Sequence, residues 1–295
     1  MDTVPYKFCY AVAGTIVKLP SIYTHYKARE DVDRLWREAF DQQNARRQVF
    51  DLVFDHNAGG MNYSLNIRPN RSNALRIDQS VTRLTFDELR TIDKRDVQCQ
   101  GIRIENALNW RQIDCSQSQL KEIIEYFGPF FNNVHFSDAQ RFSIPEDQLT
   151  ALLSALSKIP FYNVRICDKR RFELYEPFLK SQLEMDSLKE ARFSFKTLSI
   201  EFKKDLEEFL TTKAYKKVQL SSTDLDFGFY AKLLGEKIVS GYHSNRYRLL
   251  RNLKKCLQVS SSKRKIVWKR EDDVEITAHF ADDSSSYLVS FRSPC

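Results

Sequence analysis

The sequence predicts an α/β chain: a curved β/α solenoid with parallel strands, led by a helical amino-terminal segment and closed by a small antiparallel carboxyl-terminal β cap. Two patterns carry that prediction. The motif apolar-x-x-apolar-x-apolar recurs at Cys99-x-x-Ile102-x-Ile104, Phe131-x-x-Val134-x-Phe136, Phe161-x-x-Val164-x-Ile166, Leu188-x-x-Ala191-x-Phe193 and Tyr215-x-x-Val218-x-Leu220, in steps of 32, 30, 27 and 27 residues. Between copies the apolar period lengthens from 2 to about 3.6 residues, the signature of an amphipathic helix. The stripes are Leu120, Ile123, Ile124 and Phe127, then Leu149, Leu152, Leu153 and Leu156, and later Phe202, Leu206, Phe209 and Leu210. A strand, helix and strand in so many residues cannot close as a hairpin, so neighbouring strands run parallel with right-handed crossovers.

The remaining elements follow in order. Val4, Pro5, Phe8, Val12, Ile16 and Leu19 stand at helical spacing, with a proline suited to the first turn. A second helix over 31–43 carries Leu35, Trp36 and Phe40. Strands at 48–54 and 61–67 flank the turn Asn57-Ala58-Gly59-Gly60, and 85–92 forms a short helix. Ser116 with Gln119 has the form of a capping box, Gly128-Pro129 stops that helix, and Pro160 stops the next at Ile159. After the repeats Ser244 caps a helix that turns Tyr247, Leu250, Leu253 and Leu257 inward, and strands follow at 266–268, 274–280 and 287–291. The expected divisions are 1–45, 46–240 and 241–295.

Composition narrows the function classes. Hydrophobic residues make up 42% of the 295, and 8 Gly and 8 Pro stand against 21 Phe, which excludes a disordered, collagenous or low-complexity chain. No apolar run approaches the roughly 18 residues needed to span a bilayer, so no membrane partner is expected. The six cysteines have neither the pairing nor the spacing of a disulfide framework or zinc knuckle. The apolar run from Phe8 to Val17 lacks the charge pattern and cleavage site of a secretion signal, so a cytoplasmic or nuclear location is expected and the sequons at Asn62 and Asn70 carry no weight.

Charge is concentrated. The formal net charge is +7, yet ten Lys or Arg and no Asp or Glu lie between Tyr242 and Arg270; without those ten, 36 basic residues face 39 acidic ones. Arg246, Arg248, Arg251, Lys254, Lys255, Lys263, Arg264 and Lys265 form the core of this basic patch. It is either a solvated face or a surface for polyanions, and with Tyr242, Tyr247 and Trp268 available for stacking it supports nucleic-acid binding as an alternative function.

The repeat signature over residues 97–234 resembles a divergent leucine-rich-repeat array, with Phe, Val and Ile replacing many leucines and without the usual Asn after the strand. The opening "MDTVPYKFCYAV", then "LWREAF" and "TFDEL", resembles the lineage-expanded nematode F-box and F-box-associated proteins. That resemblance implies that Val4, Pro5, Phe8, Val12, Ile16, Leu19 and Trp36 dock on a Skp1-type adaptor protein. The solenoid would then present a target protein to a cullin ubiquitin ligase, in some members as an antidote recognising a paired toxin. Pro20, Tyr23, His25 and Tyr26 stand where that family carries a Leu-rich middle helix. Without the resemblance, the same helices serve to cap the open end of a repeat array.

Alternation along a strand names the outward residue of each copy: Arg103, His135, Arg165, Arg192 and Gln219. Stacked on adjacent strands, they form a target-binding ladder suited to an acidic protein surface, flanked by Gly101, Asn133, Asn163, Glu190 and Lys217 on one side and Glu105, Ser137, Cys167, Ser194 and Ser221 on the other. The competing arrangement pairs Glu105 and Glu190 with the arginines. No phosphate-binding loop, dinucleotide fingerprint, nucleophile elbow or zinc-protease motif occurs. Cys167 with His135, and Asp224 with Asp226, are the remaining candidates for chemistry, and both are better read as contact and turn residues. The reading is a non-enzymatic recognition protein, without catalytic residue, metal or cofactor.

Overall fold

The hydrophobic periodicities translate into alternating strands and helices in a computed structural model, which describes residues 7–9, 12, 34–46, 48–57, 60–68, 84–93, 96–105, 113–137, 144–168, 171–221, 225, 229, 258–261, 265–269, 275–280 and 287–292. The chain is mixed α/β and divides into two compact units, Met1–His135 with Gln140–Gln148, and Phe136–Ala139 with Leu149–Cys295. Among the described residues no helix is long and apolar enough to cross a membrane.

In the first unit, helix α1 (Arg34–Arg46) precedes the strands β1 (Gln48–Asn57) and β2 (Gly60–Arg68). These pair antiparallel up to Asn57 opposite Gly60, whose φ of 120° is open only to a residue without a Cβ. Helix α2 (Phe86–Arg90), β3 (Val97–Ile104), the two-residue β4 (Ile113–Asp114), α3 (Gln117–Phe127) and β5 (Asn133–Phe136) follow, in the sheet order β4-β2-β1-β3-β5. Thr85 and Glu88 close a reciprocal capping box on α2. On α3, Ser116 accepts from the Gln119 backbone N–H. Phe50, Leu52, Phe54, Cys99, Ile102 and Ile104 are buried on one sheet face, and the Phe86 N–H donates to the Tyr63 hydroxyl at 3.0 Å. The β1/β3 register shifts between Phe50 and Leu52, which places a bulge beside Gly101.

Helix α4 (Glu146–Leu156) buries the predicted Leu149, Leu152, Leu153 and Leu156. The second unit continues with β6 (Asn163–Ile166), α5 (Phe172–Glu184), β7 (Glu190–Ser194), α6 (Ile200–Thr212) and β8 (Lys217–Ser221). Strands β6, β7 and β8 are parallel neighbours, in register at a step of 27 residues: Val164 pairs with Ala191, and Ala191 with Val218. Even the entry bonds repeat. The amides of Lys189 and Glu190 both donate to the Tyr162 carbonyl, and those of Lys216 and Lys217 both donate to the Lys189 carbonyl. Helix α5 is the repeat helix that the sequence announces least, because Pro177 sits inside it. Its stripe of Phe172, Tyr175, Phe178, Leu179 and Leu183 is nevertheless buried.

The carboxyl-terminal strands β9 (Gln258–Ser261), β10 (Lys265–Lys269), β11 (Glu275–Phe280) and β12 (Tyr287–Arg292) are antiparallel. They extend the sheet of the second unit, in the order β6-β7-β8-β12-β11-β10-β9, with β12 lying antiparallel against β8. The helix expected after Ser244 lies outside the described residues, as do Asp224, Asp226 and Asn70.

Candidate protein-interaction face

Because Val164, Ile166, Ala191, Phe193, Val218, Leu220 and Phe291 are buried, their alternating neighbours occupy the opposite face of the second unit's sheet. Arg165 stands opposite Arg192, Arg192 opposite Gln219 and Gln219 opposite Ser290, one unbroken row across four strands. The next row runs Asn163, Glu190, Lys217, Arg292 and Glu275. Of the predicted ladder, Arg165, Arg192 and Gln219 are therefore side by side. Arg103 and His135 belong to the first unit, on the neighbouring strands β3 and β5, both half-buried.

Hydrogen bonds organise the face. The Asn163 amide donates to Glu190 Oε2 at 3.2 Å, and the Arg165 Nε donates to Asn163 Oδ1 at 3.3 Å. Lys216 Nζ lies 3.3 Å from Glu190 Oε1. Both oxygens of Glu190 are thus occupied without an arginine. Gln219 donates to the Ser290 hydroxyl at 3.2 Å, and Thr277 to Glu275 Oε1 at 3.0 Å. Arg165 and Arg192 are exposed, as is Arg292, while Lys217 is half-exposed.

Expectations for the flanking residues divide. The predicted pairing of Glu105 with an arginine occurs, 3.1 Å from Arg103 Nη1, whereas the pairing of Glu190 does not. Arg103 Nε is buried and, among the described residues, without a hydrogen-bond partner. Asn163 and Ser194, expected to be displayed outward, are only 8% exposed. Cys167 is half-buried at the end of β6, and its backbone N–H donates to the Phe136 carbonyl. Asp168 beside it binds Arg171 at 3.0 Å and accepts from the Tyr175 hydroxyl at 3.2 Å. Burial, and then the Asp168 charge, push the Tyr175 hydroxyl well above its ordinary range. Among the described residues no group of three His, Cys, Asp or Glu is placed to hold a metal ion.

At the amino-terminal end, Lys7, Phe8, Cys9 and Val12 are helical. Cys9 and Ala39 are fully buried, with Trp36 and Phe40 packed against them, and the Phe8 ring meets Trp36 edge-on at 6.2 Å while remaining 55% exposed. Val4, Pro5, Ile16 and Leu19 lie outside the described residues. So do Arg246, Arg248, Arg251, Lys254, Lys255, Lys263 and Arg264 of the basic patch, while Lys265 stands on β10 opposite His279.

Arg292 is the cation that sequence reasoning overlooks. Alternation along 287–292 assigns it a face, but its place beside Lys217 depends on the pairing of β12 with β8, a contact between residues more than seventy positions apart. Comparison with known proteins yields no match: no family model, curated protein or solved structure is similar to the chain.

Proposed function

We propose that this chain is a non-enzymatic protein-recognition module: a leucine-rich-repeat-like β/α solenoid that takes a target protein on its outward sheet face. The amino-terminal segment then serves as an F-box-like dock for a Skp1-type adaptor protein of a cullin ubiquitin ligase, in the cytoplasm or nucleus. The reading rests on one observation above all. Successive βα units place Arg165, Arg192 and Gln219 in strict register on a polar sheet face, the arrangement by which repeat arrays build extended binding surfaces. The adaptor role draws support from the exposed Phe8 ring resting on Trp36, an aromatic anchor of the kind that dominates interface energetics.

Pull-down of the full chain with a Skp1-type adaptor tests the docking role. Binding that is lost on Phe8→Asp is expected; no binding, or binding indifferent to Phe8→Asp and Trp36→Ala, discards it. The ten cations between Tyr242 and Arg270 favour nucleic-acid binding as the second reading. It requires affinity for RNA or DNA at low ionic strength that falls steeply with added salt.

A further inference from the structure

Four cations cross the outward face of the second unit on four successive strands: Arg165 on β6, Arg192 on β7, Lys217 on β8 and Arg292 on β12. Register sets their geometry. Arg165 and Arg192 are direct neighbours, as are Lys217 and Arg292, and the band steps by one pleat between β7 and β8. Lateral spacing is about 4.8 Å per strand, so the band spans roughly 14 Å. At the step, Gln219 and Ser290 fill the row beside Arg192 with a neutral hydrogen-bonded pair.

Like charges side by side on adjacent strands repel and destabilise a sheet unless something neutralises them. Here the acids of the face offset this only in part: Glu190 stands opposite Lys217 and Glu275 opposite Arg292, and among the described residues neither forms an ion pair with any of the four cations. Glu190 is committed to Lys216 and Asn163, and Glu275 accepts from Thr277. Among the described residues, the side chains of Arg192, Lys217 and Arg292 make no hydrogen bond or ion pair. Arg165 is held through Nε alone, which leaves both terminal nitrogens of its guanidinium for another group. Asn163 thereby orients one fork of the pair, so less rotamer freedom remains to be lost on binding.

We infer that this diagonal band is the contact surface for an acidic protein segment, whose Asp and Glu carboxylates lie across the Arg165–Arg192 pair and then the Lys217–Arg292 pair. The inference rests on the recognition reading above and names the partner's chemistry. Carboxylates match the planar guanidinium forks in bidentate fashion. Nucleic acid fits less well, since the two register rows that carry the band include no Phe, Tyr or Trp on which a base could stack.

The test is fluorescence anisotropy of a labelled Glu- and Asp-rich peptide of about twelve residues against the full chain, across a range of salt concentrations. Binding should weaken by about three- to tenfold in each of Arg165→Gln, Arg192→Gln, Lys217→Gln and Arg292→Gln, with a shallower salt dependence, and by less in a Lys263→Gln/Arg264→Gln control. Arg192→Lys, which keeps the charge and loses the fork, should retain only part of the affinity. Thermal melting of each variant identifies any that is misfolded, and the remaining variants then decide. No peptide binding at low salt, or equal binding by wild type and the quadruple Gln variant, overturns the inference. Arg-dependent capture of a single-stranded RNA in place of the peptide overturns it too. Loss of adaptor docking with peptide binding intact removes the ligase role alone, so the two failures are distinguishable.

Discussion

Gln182 has none of its side chain in solvent, yet it is polar, and its bonds explain why it is tolerated there. Its carbonyl accepts from the Phe161 N–H at 3.3 Å, and its amide donates to the carbonyls of Ile159 at 3.1 Å and Ser157 at 3.4 Å. One side chain thus satisfies the backbone where Pro160 stops the preceding helix. Gln182→Leu should cost about 2–3 kcal/mol in urea denaturation, because the orphaned groups stay buried. Gly101 is constrained by space: a Cβ there would lie 2.5 Å from the Asn133 carbonyl oxygen. Gly101→Ala is accordingly expected to lose about 1–3 kcal/mol, read in the same assay, unless the strand shifts. Cys115 shows the third kind of burial effect, with its thiol pushed up to about 12 by desolvation. The folded chain should react with a thiol reagent at pH 8 far more slowly at this position than the unfolded chain does. Since the folded pKa is the higher one, the stability linked to this thiol is whole below the unfolded value near pH 9. It is lost as pH rises from there toward 12.

At the scale of elements, helices α5 and α6 show how packing overrides local preference. Pro177 lacks the N–H that a helix interior would use, a defect of about 3 kcal/mol in an exposed helix. Five buried apolar side chains on α5, among them Phe178 stacked edge-on against Phe136 and Phe161, offset it. Pro177→Ala should therefore raise stability, on the order of 1–3 kcal/mol by chemical denaturation. Ser199 joins the two helices, since it caps α6 by accepting from the Phe202 N–H at 3.0 Å and donates to Glu176 of α5 at 2.6 Å. Lys180 continues the seam to Glu176 and Glu201, both at 3.1 Å, and those carboxylates hold its ammonium above the usual lysine range. Ser199→Ala should cost about 1 kcal/mol.

At the scale of the whole molecule, the second unit covers the edge of its parallel strands by continuing the sheet. In the second unit the parallel strands end at β8, and β12 covers that edge antiparallel from Leu288 opposite Ser221 to Arg292 opposite Lys217. Removal of residues 258–295 would leave the backbone of β8 unpaired, and a chain so shortened should self-associate in sedimentation or light-scattering measurements. The uneven charge of the chain acts at this scale as well. With ten unopposed cations in one segment and four more across a sheet face, its affinity for any polyanion should fall as salt rises.

The sequence by itself determined the strands of the repeats and their helices other than α5, because burial of one face imposes periods of 2 and 3.6 that are visible residue by residue. It also set the 27-residue register that aligns Arg165, Arg192 and Gln219, since equal spacing in the chain becomes equal height in a parallel sheet. Only the tertiary structure decided that Glu190 is engaged by Lys216 and Asn163, because reach and competition among side chains depend on distances that spacing does not encode. It alone brought Arg292 beside Lys217 and laid the carboxyl-terminal strands onto β8, where the predicted cap left their neighbour unspecified. Those are pairings across long loops, and strand pairing between distant segments is settled by which edges remain open once the local units have formed.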